Sequence, residues 1–121
     1  MITIPAFVLR GLYVRGSLKN NETGFQVAIR NHIDNATVTA MESITVDGVI
    51  YTAEAIIVRT PAGERPCSEV SSSAPFILAV KQDAILSVRS TPLAVGEHNL
   101  VFAWNAELVG RIQFDVKDSI S

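Results

Sequence analysis

The sequence predicts an all-β fold, a two-sheet antiparallel β-sandwich of immunoglobulin-like type. Three observations lead there. Valine, isoleucine and threonine, whose branched side chains fit a pleated strand and crowd a helix, account for 34 of 121 residues. Apolar residues recur at alternate positions far more often than at the helical spacing of three and four. Turn-forming residues cut the chain into about eight short runs, the rhythm of a sandwich. A flattened barrel is the competing closure.

The first clear strand is Gly24–Arg30, with Phe25, Val27 and Ile29 on one face and Gln26 and Arg30 on the other. Residues 30–40 begin polar and hold no period, so they read as a long loop passing into a strand. Ile44 and Val46 then alternate with Ser43 and Thr45, and Asp47-Gly48 joins them to Val49-Ile50-Tyr51. Two apolar runs across Asp-Gly are the strongest local hairpin signal, because both turn residues accept positive φ. A strand over residues 53–59 closes at Pro61-Ala62-Gly63. Residues 64–73, rich in serine around Pro66 and Cys67, read as a surface excursion before the apolar run 75–80. Strands over 84–90 and 97–104 follow, separated by Thr91-Pro92-Leu93-Ala94-Val95-Gly96. Asn105-Ala106-Glu107 connects to a last strand over 108–116, so the final third is expected to be a three-strand meander.

The length suits one domain over residues 1–121. Ten basic and twelve acidic side chains give a net charge of −2, which offers no electrostatic attraction to a nucleic-acid backbone. Cys67 is the sole cysteine, so neither an internal disulfide nor a cysteine-based metal cluster is available. His32 and His98 stand in no ligand spacing, and no metal site is expected on this chain. The opening Met1-Ile2-Thr3-Ile4-Pro5 lacks the basic start and apolar run of a secretory leader. The longest apolar run, residues 74–80, is far below the roughly 20 residues that span a bilayer. A cytoplasmic, membrane-free protein is expected.

No catalytic set stands out. There is no Gly-x-Ser-x-Gly elbow, the acids are scattered, and the glycines are isolated rather than gathered into a phosphate loop. His98, on the strand that carries Leu100, Phe102 and Trp104, is read as a histidine at the rim of the core, and Trp104 as a core residue. Cys67 is read as an incidental thiol. The polar, irregular segment holding Asn31, His32, Asp34 and Asn35 is the best local candidate for contact with a partner. Few charges and a positive mean hydropathy favour a permanently covered face.

The order of Gly24-Phe25-Gln26-Val27-Ala28-Ile29-Arg30, then Met41-Glu42-Ser43-Ile44-Thr45-Val46-Asp47-Gly48, then Pro92-Leu93-Ala94-Val95-Gly96-Glu97-His98 resembles the small β subunit of bacterial C-glycoside deglycosidases. The resemblance spans about residues 18–116. It implies a carbon–carbon lyase complex acting on 3-oxo-C-glycosides of flavonoid or anthraquinone type. It also implies a TIM-barrel α subunit as partner, carrying a divalent metal, manganese, together with the acid–base residues. On that expectation this chain supplies no catalytic residue. It shapes the cleft rim through Asn31, His32, Asp34 and Asn35, with His32 and Asp34 as the foremost contacts. Two rivals stand beside it: a free-standing immunoglobulin-like module that binds carbohydrate or protein, and a self-contained small enzyme. The chain departs from the family in its His-Ile-Asp-Asn segment, where aromatic and basic residues are expected, and in ending without an aromatic tail.

Overall fold

A computed structural model describes residues 4–121. Met1 to Thr3, read above for a leader, lie outside the described residues. A one-turn helix, α1 (Ala6–Arg10), precedes ten strands: β1 (Lys19–Asn21), β2 (Gly24–Arg30), β3 (Ala36–Val46), β4 (Val49–Thr52), β5 (Ile56–Thr60), β6 (Gly63–Pro66), β7 (Phe76–Leu78), β8 (Asp83–Arg89), β9 (Gly96–Ala106) and β10 (Gly110–Ile120). Short 3-10 turns at Ala53–Ala55 and Cys67–Glu69 lead into β5 and out of β6.

The strands form two antiparallel sheets, ordered β1-β2-β8-β5-β6 and β10-β9-β3-β4, with β7 paired to the first residues of β3. Among the described residues no ladder joins the two sheets, so the closure is a sandwich and not a barrel. Alternation explains the core. Phe25, Val27, Ile56, Val58, Leu86 and Val88 from the first sheet face Val38, Ile44, Leu100, Phe102 and Phe114 from the second, all buried. Phe102 stacks on Phe114 with centroids 5.2 Å apart, and Trp104 meets Phe114 edge-on at 5.4 Å.

An arm at the N-terminal side closes one flank. Leu12 and Val14 bond to Arg30 and Ala28 of β2, so the arm extends the first sheet along the β2 edge. It is tied to the second sheet by Asp118 of β10. One oxygen of that carboxylate accepts from the Tyr13 hydroxyl at 2.6 Å and from the Gly16 and Leu18 amides at 2.9 and 3.3 Å.

Three expectations change. The segment read as loop over residues 30–40 is already strand from Ala36. Two register shifts, between Val38 and Ala40 and between Met41 and Ser43, are bulges that break the two-residue alternation of the strand. The C-terminal third is not a meander. β8 lies between β2 and β5 in the first sheet, while β9 and β10 belong to the second. The six-residue connection over 90–95 is long enough to cross between sheets, and Asn20 fastens it with paired bonds to the Leu93 backbone at 2.8 and 2.9 Å. Finally, the serine-rich excursion contains β6, and Cys67 within it is buried rather than superficial.

Candidate functional site

Residues 31–35 leave β2 and bend back into β3, and one side chain organises the bend. The Asn31 amide is 2% exposed. Its Nδ2 donates to the Asp34 carbonyl at 2.6 Å and the Leu78 carbonyl at 2.8 Å, and its Oδ1 accepts from the Ile33 amide at 3.0 Å. A buried amide that satisfies its donors and acceptor this way fixes a loop more firmly than backbone bonding alone. Asn35 adds a second tie, its Oδ1 accepting from the Val80 amide at 2.9 Å. Asp34 caps the Asn35 amide at 2.8 Å. His32 is exposed beside the Arg30–Asp83 ion pair, in which the Arg30 guanidinium holds the Asp83 carboxyl below the usual carboxylate range.

The loop forms one lip of a pocket of about 270 Å³ at this end of the sandwich. Leu12, Val38, Leu78, Trp104, Ala106 and Ile112 build its apolar wall. The opposite lip is the turn between β9 and β10, where Glu107 donates its amide to the Thr37 carbonyl at 3.0 Å and so anchors the turn to β3. Leu108 at its tip has φ 70 and is 79% exposed, an unusual conformation and exposure for a leucine. Exposed Ile33, Asp34, Asn35 and Glu107 complete the mouth. No lysine or arginine lines the pocket among the described residues.

Of the four residues expected to touch a partner, Asn31, Asp34 and Asn35 line this pocket, and His32 does not. Sequence reading overlooks Glu107, Leu108 and the part Trp104 plays in the wall. The connection expected at Asn105-Ala106-Glu107 falls later, because β9 runs through Ala106 and the turn is residues 107–109; Leu108 shares the parity of Ile112 and Phe114 and so passes for a strand residue. The signal against that reading is Gly110, whose φ of 83 ends a hairpin loop.

His98 lies elsewhere and is bound structurally. Its Nδ1 faces Asp47 Oδ2 at 2.6 Å and its Nε2 faces the Ala94 carbonyl at 2.7 Å. Cys67 is sealed in the core, and burial pushes its thiol up to about 12, where it is a poor nucleophile. Among the described residues no group of three or more His, Cys, Asp or Glu is placed to hold a metal, and no helix is long and apolar enough to cross a membrane.

Comparison with known proteins places the sequence in a different context from the one its motif order implies. Residues 8–121 match the family model described as the N-terminal domain of hydroxymethylglutaryl-CoA reductase. No curated protein matches the chain. The family match overturns the resemblance to a C-glycoside deglycosidase β subunit. It overturns with it the carbon–carbon lyase activity on 3-oxo-C-glycosides, the TIM-barrel α partner, and the free-standing binding module offered as the alternative. The physical reason is that the pieces carrying the resemblance are generic to antiparallel sandwiches: Gly24–Arg30 is a central strand, Asp47-Gly48 a hairpin turn, and Gly96-Glu97-His98 the start of β9.

Proposed function

We propose, from the premise that this chain belongs to the hydroxymethylglutaryl-CoA reductase N-terminal domain family, that it is a docking domain of such a reductase, folding as one unit over residues 1–121. On this reading it holds another part of the enzyme and does not bind the thioester. The observation that carries the reading is the end pocket: apolar walls, an exposed apolar lip, and the Asp34 and Glu107 carboxylates at the mouth.

Hydroxymethylglutaryl-CoA bears a carboxylate and the phosphates of its coenzyme A. Such an anion meets like charge at this mouth, and no basic side chain lines the pocket among the described residues to offset it. Reduction also needs a hydride donor, and the residues here do not fit a phosphate-bearing dinucleotide. That fit calls for a glycine-rich turn feeding a helix N-terminus, or for a basic clamp. Here Gly16, Gly48, Gly63, Gly96 and Gly110 sit singly in turns and strand ends, and α1 has five residues. On this reading the hydride donor is held by another part of the enzyme. A cytoplasmic setting belongs to the same reading, supported by Cys67, a thiol kept unpaired in the core.

Titrating hydroxymethylglutaryl-CoA into the isotopically labelled chain tests the proposal. Amide signals of Ile33, Asn35 and Leu108 are expected to stay unmoved up to millimolar thioester. Saturable binding at that end, or reduction of the thioester by this chain alone, would overturn it.

A further inference from the structure

We infer that the end pocket receives a large apolar side chain borne on a lysine- or arginine-flanked segment of the enzyme part that this domain holds; the inference rests on the docking reading and names the chemistry of what docks. Three features converge on that occupant. The first is size. A pocket of about 270 Å³ falls just under the range that drug-sized ligands and cofactors fill, and suits an anchoring side chain.

The second is the lip. Leu108 lines the mouth at 79% exposure, with Ile33 at 42% on the facing loop. Its left-handed backbone is one that asparagine or glycine adopts more readily, so nothing about the turn itself calls for leucine. Leu108 and Ile33 extend the apolar wall onto the rim, where a chain segment covers more of them than a small molecule does.

The third is charge. Asp34 and Glu107 come from separate elements, the 31–35 loop and the β9–β10 turn, and flank the mouth together. The ion pairs among the described residues lie elsewhere: Arg10–Asp115, Arg30–Asp83, Arg59–Glu64, Arg111–Glu42 and His98–Asp47. The mouth carboxylates thus have no basic partner among them, and a cationic flank on either side of an anchor supplies one. The lips are pre-set for this. Asn31 fixes one through three hydrogen bonds, and the Glu107–Thr37 bond fixes the other.

The test uses the full chain, labelled for NMR, and a probe peptide with one phenylalanine between two lysines on each side. The expected result is saturating shifts confined to Ile33, Asn35, Leu108 and their neighbours. Affinity should fall about tenfold for the glutamate-flanked version of the peptide and for the D34K/E107K double variant. It should also weaken as salt rises from about 50 to about 500 mM. Leu108→Asn, which suits the turn's left-handed backbone, should keep the fold and lose about fivefold in affinity. Equal binding of both peptides, an unchanged affinity in either variant, or no binding at millimolar peptide would overturn the inference. Phenethylamine binding as tightly as the peptide would overturn it in favour of a small amine. Self-association abolished by Leu108→Asn would overturn it in favour of a second copy of the chain. The two readings fail separately: thioester binding or turnover removes the docking domain, whereas loss of peptide selectivity removes only the basic occupant.

Discussion

Each ring nitrogen of His98 faces an oxygen acceptor, so the doubly protonated imidazolium is the form that satisfies both neighbours. The Ala94 carbonyl, and after it the Asp47 carboxylate, raise the pKa of the ring above the ordinary histidine range. Asp47 shifts the other way, held low by the Asn99 amide and then by His98. The signs follow from linkage. The histidine's contribution to stability is complete below its unfolded pKa of about 6.5 and drains away as pH rises through the raised folded value. The aspartate's is complete above about 3.9 and is lost as pH falls through the depressed one. His98→Gln is therefore expected to lose about 1.5–3 kcal/mol at pH 5.5, the worth of a hydrogen bond to a charged group, and less at pH 8.5. Urea midpoints at the two pH values check this, and an equal loss at both would mean that folding leaves the pKa of the ring unshifted. The sequence shows His98 at the start of a strand but hides its partner. Asp47 lies 51 positions away, and only the crossing of β9 past the β3–β4 turn brings the two together.

Elements depend on a few side chains whose role is positional. Replacing Asn31 by alanine strands the Leu78 carbonyl and the Ile33 amide, and is expected to cost about 2–3 kcal/mol in a thermal or urea melt. Asn31→Asp, nearly the same shape, should be no milder, because a carboxylate would confront the carbonyls of Asp34 and Leu78. A fully stable Asn31→Ala variant would show that the loop needs no such peg. At the start of β2, a Cβ on Gly24 would stand 2.1 Å from the Val88 carbonyl and 2.6 Å from the Ser90 nitrogen, both backbone atoms of the adjoining strand and its exit. Gly24→Ala should destabilise by about 3 kcal/mol. Gly16→Ala, in open space though at φ +85, should cost about 1 kcal/mol. Comparable losses for the two would remove the steric account. β2 was plain from Phe25, Val27 and Ile29 because its period is unbroken. β3 was half hidden because its two bulges shift Met41 and Ile44 out of step. The loop residues Asn31, Asp34 and Asn35 could be marked as candidates by polarity alone. The opposite lip at Glu107 and Leu108 could not, since it joins them only through the pairing of β9 with β3 and β10.

Over the molecule as a whole, Asp118 is the tie between the N-terminal arm and the far sheet. Burial opposes its ionisation, but the Tyr13 hydroxyl and the amides of Ser119, Leu18 and Gly16 outweigh that and hold its pKa below the usual carboxylate range. A depressed folded pKa gives stability that is complete above about pH 3.9 and is lost as pH falls through the folded value. Asp118→Ala should lose about 2–3 kcal/mol at pH 7 and much less at pH 2.5. Denaturation curves at both values decide it, and a loss independent of pH would assign the effect to packing. The sandwich class was legible because β-branched content and alternation are local properties. The distribution of strands between sheets was not, because a six-residue connection permits either a return to the same sheet or a crossing. Function was least legible, since features common to many antiparallel sandwiches were all that carried the motif order. The interleaved strand order also governs how the chain comes into being. Until β8 is made, β1–β2 and β5–β6 are separate hairpins, and until β9 is made, β3 has only β4 and β7. Such fragments are marginal in water, so a nascent chain remains a string of transient ribbons on the ribosome. The two sheets are therefore expected to assemble only once residues 83–106 are available to lace the ribbons together, on the millisecond-to-second scale of non-local β topologies.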